Sequence, residues 1–347
     1  MATGKTDYST LLAYISALGV KVYNMNHIEC EFKPDDMLGI GQSMITYRGL
    51  LVKEPEAGAA SSSIPVAIKV PNLQLKEKTP DSKICDILAD VRQEIRMMKY
   101  FDTHPFIIDL YGVVFLDLKP AVIVELAEAT VTEYLSGRLE EENPVKWDIK
   151  ARFCAEVADG LHALHRANII HGDIKGDNIL LFADRENTGE FVAKIIDFGY
   201  SATAASVKSG RKIGGTLHFF APECTTSVVA EMKKYENEPT RDNYAFGLFV
   251  WQVAMNGDVP YFGMNNDKIE ENKNLDHKLT KLMTQLPTDT PEHFKTVITS
   301  MTSYDPKKRA KLAMVRQTMG LDDDARYLPF PHEGFSLKFL ILTLTPI

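Results

Sequence analysis

The spacing of apolar side chains predicts strands in the first part of the chain and helices in the second. Residues 66–70 alternate with a period of two between Pro65 and Pro71, which predicts a short buried strand. Apolar stripes at helical spacing predict two helices. The stripes are Ile87, Val91, Ile95 and Met98, and then Ile149, Phe153, Val157, Leu161 and Leu164. Beyond about residue 127 the pattern is mostly helical, and the nearly all-apolar stretch 244–255 predicts a central helix.

Composition narrows the class of protein without indicating its chemistry. The chain has 347 residues, with 39 Lys and Arg against 47 Asp and Glu, so its net charge is −8. This acidic balance argues against a general nucleic-acid binder and against a polybasic membrane-surface protein. No stretch reaches the roughly 18 apolar residues of a membrane span, and the N-terminus lacks the pattern of a secretory signal. Because the four cysteines form no CxxC pair, we expect an intracellular, cytoplasmic protein; the pattern predicts no oligomeric state.

A lysine stands inside the predicted buried strand. A buried ammonium group costs several kcal/mol, so Lys69 needs a partner unless it lies on an edge strand and reaches solvent. Glu94 lies on the flank of the first helical stripe and meets Lys69 if the helix packs on the strand. Taken alone, Glu94 fits a solvated helix position better than a buried partner of Lys69.

Two apolar runs end in polar residues that ordinary turns do not explain together. In 169–182, Asp173, Lys175 and Asn178 stand at offsets of 0, 2 and 5 between apolar flanks, next to His171 and Asp177. The apolar run 192–196 is followed by Asp197, Phe198 and Gly199, which places a carboxylate at a strand end with a ring to bury behind it. Capped turns account for each segment singly, but less well for both in this order.

A turn containing Gly39 and Gly41 precedes another strand-like run. Glycines allow backbone N–H groups to approach a phosphate closely. The pattern is weak by itself, and no GxxxxGK[ST] phosphate-binding loop occurs in the chain.

These segments, in this order, resemble the signature set of the eukaryotic protein kinase family from about residue 30 to residue 320. The resemblance implies an α+β, bilobal protein-kinase-like fold, with a small antiparallel-sheet N-lobe carrying the C-helix and a larger, mainly helical C-lobe. The implied divisions are an N-terminal extension (1–29), the N-lobe (30–126), the C-lobe (127–322) and a C-terminal tail (323–347). The matching segments are 39–41, 66–69, Glu94, 171–178, 197–199, 221–223, Asp242 with Gly247, and 305–309 with Arg309 paired to Glu223.

The resemblance also implies ATP and Mg²⁺ as cofactors and assigns a role to each site residue. Asp173 would accept the proton of the substrate hydroxyl, and Lys175 would offset charge on the transferred phosphoryl group. Asn178 and Asp197 would hold Mg²⁺. Lys69, held by Glu94, would contact the α- and β-phosphates. The remaining nucleotide contacts would come from Gly39, Gly41, Ala67, Leu180 and the connecting backbone at Glu125 and Ala127.

Two features favour Ser/Thr specificity and a protein substrate. Lys175 lies two residues after Asp173, and Thr216 precedes the Ala-Pro-Glu segment 221–223 as in Ser/Thr kinases. The same segment argues against a small-molecule kinase. The sequence therefore predicts transfer of the γ-phosphoryl group to protein Ser/Thr hydroxyls, with no nucleic-acid partner.

The chain departs from the family pattern in three places. Gly172 replaces an arginine that normally receives an activation-segment phosphate, so we expect activity that does not depend on such a phosphate. This His-Gly-Asp form resembles kinases of filamentous fungi. In the turn that contains Gly39 and Gly41, the phosphate-covering lid of the family, Met44 replaces the third glycine. This replacement keeps open the alternative of a catalytically weak or silent nucleotide-binding scaffold. Residues 336–347 match nothing in the pattern and leave a tail strand, packing arm or partner-binding segment open.

Overall fold

A computed structural model describes residues 8–41, 44–53, 62–72, 81–116, 119–184, 187–208, 210 and 213–321. The predicted tail at 323–347 lies outside these ranges. The described residues up to Ala127 form one compact unit, and those from Glu128 onward form a second.

The first unit is a sheet with two helices. Its strands are β1 (Val22–Tyr23), β2 (Ile28–Glu29), β3 (Met37–Ile40), β4 (Met44–Lys53), β5 (Ser62–Pro71), β6 (Leu110–Leu116) and β7 (Lys119–Glu125). Its helices are α1 (Tyr8–Ala17) and α2 (Asp81–Tyr100). Within the described residues the strand order is β1-β6-β7-β5-β4-β2, with β3 paired to β4. The β1–β6 pair is parallel and the other pairs are antiparallel.

The central strand β5 shows why this sheet forms. Val66 and Ile68 are fully buried and contribute to an apolar core with Leu51, Val114 and Ile123, as the period of two predicts. The strand is longer than the prediction, because its pairing with β4 continues from Pro71 back to Ser62. Polar residues at the start of a strand are stabilised by the same ladder of hydrogen bonds, which the hydrophobic pattern does not reveal.

The segment before residue 30 belongs to the first unit. Helix α1 packs on α2, with Leu11 and Ile15 fully buried. The guanidinium of Arg92 lies 4.2 Å from the centroid of the Tyr14 ring. Residues that the motifs left as an extension therefore contribute apolar core to this unit.

The second unit is mainly helical. Its helices are α3 (Val131–Glu140), α4 (Trp147–Arg166), α5 (Ala204–Lys208), α6 (Ala230–Lys233), α7 (Thr240–Ala254), α8 (Asn266–Leu275), α9 (Thr280–Met283), α10 (Glu292–Met301) and α11 (Val315–Thr318). Its strands are β8 (Ala129–Thr130), β9 (Ile169–Ile170), β10 (Ile179–Ala183), β11 (Phe191–Ile195) and β12 (Ala202–Thr203). Among described residues, β10 lies between β8 and β11, and β9 pairs with β12.

Helix α7 is the core of this unit, as its apolar sequence predicts. Every one of its residues after Thr240 is buried, and α4 and α10 pack against it. The strand-rich first unit and helical second unit confirm the predicted α+β, bilobal class of fold. Within the described parts of the chain, no helix has both the length and the apolar character required to cross a bilayer.

Candidate active site

The lysine in β5 and the glutamate in α2 form an ion pair. Lys69 Nζ donates to Glu94 Oε1, and the side chains are 17% and 9% exposed, respectively. Packing of α2 on the sheet places Glu94 on the inward face, beside the fully buried Ile95. The pairing excludes an edge-strand lysine, and loss of either partner would leave a largely buried charge.

The two lid glycines differ in what surrounds them. Gly39 lies in the exposed strand β3, and a Cβ atom there would meet no atom within 4 Å. Gly41 follows β3, and its N–H donates to the Met44 carbonyl at 2.7 Å. A Cβ atom at Gly41 would lie 3.2 Å from the same carbonyl oxygen, so this turn is tight at Gly41 and open at Gly39.

The other predicted nucleotide contacts are spread over three strands and a connection. Ala67 is buried in β5 and pairs with Val124 in β7. Glu125 ends β7, and its carboxylate accepts from Asp109 N at 2.9 Å. Ala127 is half-buried in the connection, and Leu180 is half-buried in β10 of the second unit.

Asp173, Lys175 and Asn178 come together at one carboxylate, as their spacing predicts. Asp173 Oδ2 accepts from Asn178 Nδ2 at 2.9 Å and lies 3.2 Å from Lys175 Nζ. Asn178 Nδ2 also donates to the Asp173 carbonyl at 2.8 Å, and Lys175 Nζ donates to Thr216 Oγ1 at 2.7 Å. In the described structure Asp173 Oδ1 is buried and has no hydrogen-bond partner. One oxygen of this carboxylate is thus held in place while the other is available as an acceptor.

Helix α7 holds the loop that carries Asp173. The Asp242 carboxylate accepts from His171 N at 2.8 Å, Gly172 N at 2.9 Å and His165 Nε2 at 3.0 Å. Burial would raise the pKa of Asp242, but the hydrogen bond and charge of His165 and the N–H of Gly172 outweigh burial and hold this pKa below its usual value.

Almost three turns further along α7, Gln252 Oε1 accepts from Gly176 N at 2.8 Å. The sequence reading assigned no role to His165 or Gln252. Their contacts span 77 and 76 residues of chain, so no local pattern marks them.

The Asp197 turn packs against the same loop. The Phe198 ring is fully buried and meets the His171 ring edge-on, with centroids 5.6 Å apart. His171 Nε2 lies 3.0 Å from the Ile196 carbonyl oxygen. Asp197 has a φ of 63°, a left-handed conformation that non-glycine residues rarely adopt, and its Oδ1 accepts from Gly199 N. The structure therefore buries the ring behind the carboxylate, as the sequence predicts.

The donor set in this unit fits a magnesium ion. The Asn178 amide nitrogen donates to Asp173, which orients the amide and leaves its oxygen as an acceptor. Asp197 supplies a second, half-buried carboxylate. Mg²⁺ is bound through one or two carboxylates together with other oxygen ligands, and these two side chains are of that type.

The glycine in place of the usual arginine is explained by its surroundings. Gly172 has a φ of 88°. A Cβ atom there would lie 2.8 Å from Ile213 Cγ2 and 3.0 Å from the Tyr200 carbonyl oxygen. Two residues of the following segment therefore occupy the space that a side chain at position 172 would need.

A buried ion pair anchors the end of that segment. Arg309 Nη2 donates to Glu223 Oε2 at 2.7 Å, and Nη1 donates to Oε1 at 2.5 Å. Both side chains are fully buried, and Arg309 Nε also donates to the Ser303 carbonyl. This bidentate geometry fixes the position of Glu223 and confirms the predicted pairing of Arg309 with Glu223.

Comparison with known proteins agrees with this arrangement. The chain is 28% identical over 239 residues to the Nik-related protein kinase of Mus musculus. The alignment covers 65% of this chain and 15% of the relative. It is 30% identical over 205 residues to the dual specificity protein kinase zakA of Dictyostelium discoideum, covering 54% and 24%. It is 26% identical over 293 residues to the tyrosine-protein kinase Fer of Rattus norvegicus, covering 84% and 31%. The chain therefore matches less than a third of the length of each of these relatives.

The profile of the protein kinase domain matches residues 52–319. The match begins after the turn that contains Gly39 and Gly41, so this turn rests on the sequence pattern and its geometry alone. It includes the Lys69–Glu94 ion pair, the Asp173 loop, the Asp197 turn and the Glu223–Arg309 ion pair. The chain belongs to the protein kinase domain family.

Proposed function

We propose that the protein is an ATP- and Mg²⁺-dependent protein kinase that transfers the γ-phosphoryl group to Ser and Thr hydroxyls of protein substrates. The observation that carries this proposal is the state of the Asp173 carboxylate. Oδ2 is held by Asn178 and lies beside Lys175, whereas the buried Oδ1 has no partner among the described residues. A positioned carboxylate oxygen with a free lone pair is the acceptor that a substrate hydroxyl requires as it attacks phosphorus.

The other residues take the roles that phosphoryl transfer needs. Lys69, kept in position by Glu94, binds the α- and β-phosphates. Lys175 offsets charge on the transferred group. Asn178 and Asp197 hold Mg²⁺, which neutralises the phosphate oxygens when bound. Gly39, Gly41, Ala67, Leu180 and the backbone of Glu125 and Ala127 are proposed to contact the remainder of ATP.

The preference for Ser and Thr is supported by the contact between Lys175 and Thr216. Their 2.7 Å hydrogen bond ties the segment that follows Asp197 to the loop that carries Asp173. Relatives include kinases named as dual specificity and tyrosine kinases, so the substrate class needs a direct test with Ser, Thr and Tyr peptides.

The test is transfer of label from ATP in the presence of Mg²⁺. We expect Asp173→Asn to lower kcat by about 10²–10⁴-fold, because the acceptor of the hydroxyl proton is lost. The KM for ATP should stay within about twofold, since Asp173 is assigned no contact with the nucleotide. Lys69→Met should raise the KM for ATP. The matched control is Asp177→Asn in the same loop, whose side chain is exposed. Equal rates for the parent and Asp173→Asn would contradict the proposal.

A catalytically silent nucleotide-binding scaffold is the second candidate. It is favoured by Met44 at the third glycine position of the lid and by a family match that begins only at residue 52. Thermal stabilisation by ATP and Mg²⁺ without transfer to any peptide would support the scaffold instead of the enzyme.

A further inference from the structure

Helix α8 holds a buried lysine that the proposed chemistry does not use. Lys273 is 1% exposed, and its Nζ donates to the carbonyl oxygens of His218 at 3.0 Å and Phe220 at 2.8 Å. These two carbonyls belong to the segment 217–222, which begins directly after Thr216 and ends directly before Glu223. The lysine is therefore bonded to two backbone carbonyls of this segment.

Two aromatic rings complete the surroundings of this ammonium group. Nζ lies 4.7 Å from the centroid of Tyr261 and 5.4 Å from that of Tyr244. Aromatic faces attract a cation, and the attraction is larger when water is excluded. Burial nevertheless lowers the pKa of Lys273 to about 7, and the nearby Cys224 and Glu223 offset this lowering only in part. A buried lysine of this kind is costly to maintain, which indicates that its position has a use.

The same face of α8 also binds residues 225–227, which follow the 217–222 segment and Glu223 along the chain. Glu270 Oε2 accepts from the backbone N–H and the hydroxyl of both Thr226 and Ser227, at 2.7–3.1 Å. Asn274 Nδ2 donates to Thr225 Oγ1 and Ser227 Oγ, both at 3.1 Å. Glu270, Lys273 and Asn274 lie within about one turn of α8. Together they bind the chain both before and after the short helical turn Pro222–Cys224.

The segment 217–222 has firm anchors on both sides of it. Before it, Thr216 is bonded to Lys175, next to Asp173. After it, Glu223 is bonded to Arg309. Between these anchors, the two bonds from Lys273 hold the carbonyl groups of His218 and Phe220. Helix α8 therefore contributes, through Lys273, to the shape of the surface formed by residues 217–222.

We propose that Lys273 is a positioning residue for the protein substrate, acting by holding the His218 and Phe220 carbonyls so that residues 217–222 form the surface on which the substrate peptide lies. This inference rests on the proposed kinase function. It assigns Lys273 no contact with ATP, with Mg²⁺ or with the attacking hydroxyl. Loss of Lys273 should therefore affect the KM for the peptide and leave the other constants unchanged.

The test compares Lys273→Met with the parent in steady-state assays that vary peptide and ATP separately. Methionine has similar length but donates no hydrogen bond, so both carbonyls lose their partner. We expect the peptide KM to rise about tenfold or more, with kcat and the KM for ATP within about twofold, because two buried carbonyls lose their donor at once. Amide hydrogen exchange in 217–222 should increase in the same variant.

Lys268→Met is the matched control, since Lys268 lies on the same helix with an exposed side chain, and it should behave like the parent. If Lys273→Met melts below the assay temperature, Lys273→Gln takes its place, because an amide NH₂ restores a neutral donor; its peptide KM should rise by a smaller factor.

The outcomes separate the two proposals. Parent activity combined with an unchanged peptide KM in both Lys273 variants overturns the inference alone. An equal loss of kcat for every peptide, with unchanged peptide KM, also overturns it and indicates general damage to the unit. A parent that transfers no phosphoryl group overturns the kinase function and the inference with it.

Discussion

Lys69 and Lys273 are both largely buried, and each is stabilised by a different kind of partner. Lys69 meets the Glu94 carboxylate, so a charge of opposite sign compensates its burial. Lys273 meets carbonyl dipoles and aromatic faces, which compensate less than a carboxylate does. Burial lowers the pKa of Lys273 to about 7. Stability should therefore depend on pH through Lys273.

The direction of this dependence follows from proton binding. Between the folded pKa of Lys273, about 7, and the ordinary lysine pKa of about 10.4, the unfolded chain binds a proton that the folded protein has released. Stability should then rise with pH in this window by about 1 kcal/mol per pH unit. We expect the free energy of unfolding of the parent, minus that of Lys273→Met, to increase by about 2 kcal/mol over the two pH units from pH 7 to pH 9 in urea titrations. A difference that does not change with pH would contradict the lowered pKa.

The steric cost of a side chain at Gly172 can be measured by comparison with Gly189, a glycine of the same φ. Gly172 and Gly189 both have a φ of 88°, but a Cβ atom would clash with Ile213 only at Gly172, whereas Gly189 has nothing within 4 Å. Gly189→Ala should cost about 1 kcal/mol for backbone strain alone. Gly172→Ala should cost about 1–3 kcal/mol more, because Ile213 or the backbone of Tyr200 must move. Equal losses in urea titrations would show that the clash is relieved without cost.

At the scale of elements, the N-terminal helix completes the first unit. Helix α1 covers α2, the helix that carries Glu94, and β1 adds a parallel strand beside β6. The hydrophobic pattern of α1 does not reveal which element the helix covers. Its partner lies some 80 residues further along the chain, so only tertiary packing assigns Leu11 and Ile15 to the core.

Truncation of one buried side chain in α1 tests this role. Ile15→Ala should lower the free energy of unfolding by about 2–4 kcal/mol, as expected for a fully buried isoleucine. It should also increase hydrogen exchange in α2. Leu12→Ala on the same helix is the control, because Leu12 is 44% exposed, and it should change stability by about 0.5 kcal/mol or less. A loss of stability for Ile15→Ala as small as that for Leu12→Ala would show that the packing of α1 does not stabilise this unit.

At the scale of the whole molecule, the net charge of −8 and the proposed chemistry describe different parts of the protein. The net charge sums over the whole chain, whereas the lysines assigned to phosphate are placed one in each unit, at Lys69 and Lys175. The average charge therefore predicts which partners the surface disfavours, and it carries no information about the site. The charges that matter for transfer are few and individually positioned.

The sequence by itself determined the groups whose geometry depends on neighbouring positions in the chain. Asp173, Lys175 and Asn178 stand at offsets that one short loop brings together, and β5, α2, α4 and α7 follow from their apolar periods. The hydrophobic pattern shows such elements because period and burial are local properties.

Tertiary structure decided the contacts that depend on distant parts of the chain. The bonds from Asp242 and Gln252 to the Asp173 loop, the packing of Ile213 over Gly172 and the hold of Lys273 on 218–220 join residues some 40 to 80 positions apart. Their single-residue signals are an ordinary aspartate, glutamine, isoleucine and lysine. Only the packing of α7 and α8 against the loops gives the aspartate, glutamine and lysine their partners, and only the folding of the loops brings Ile213 to Gly172.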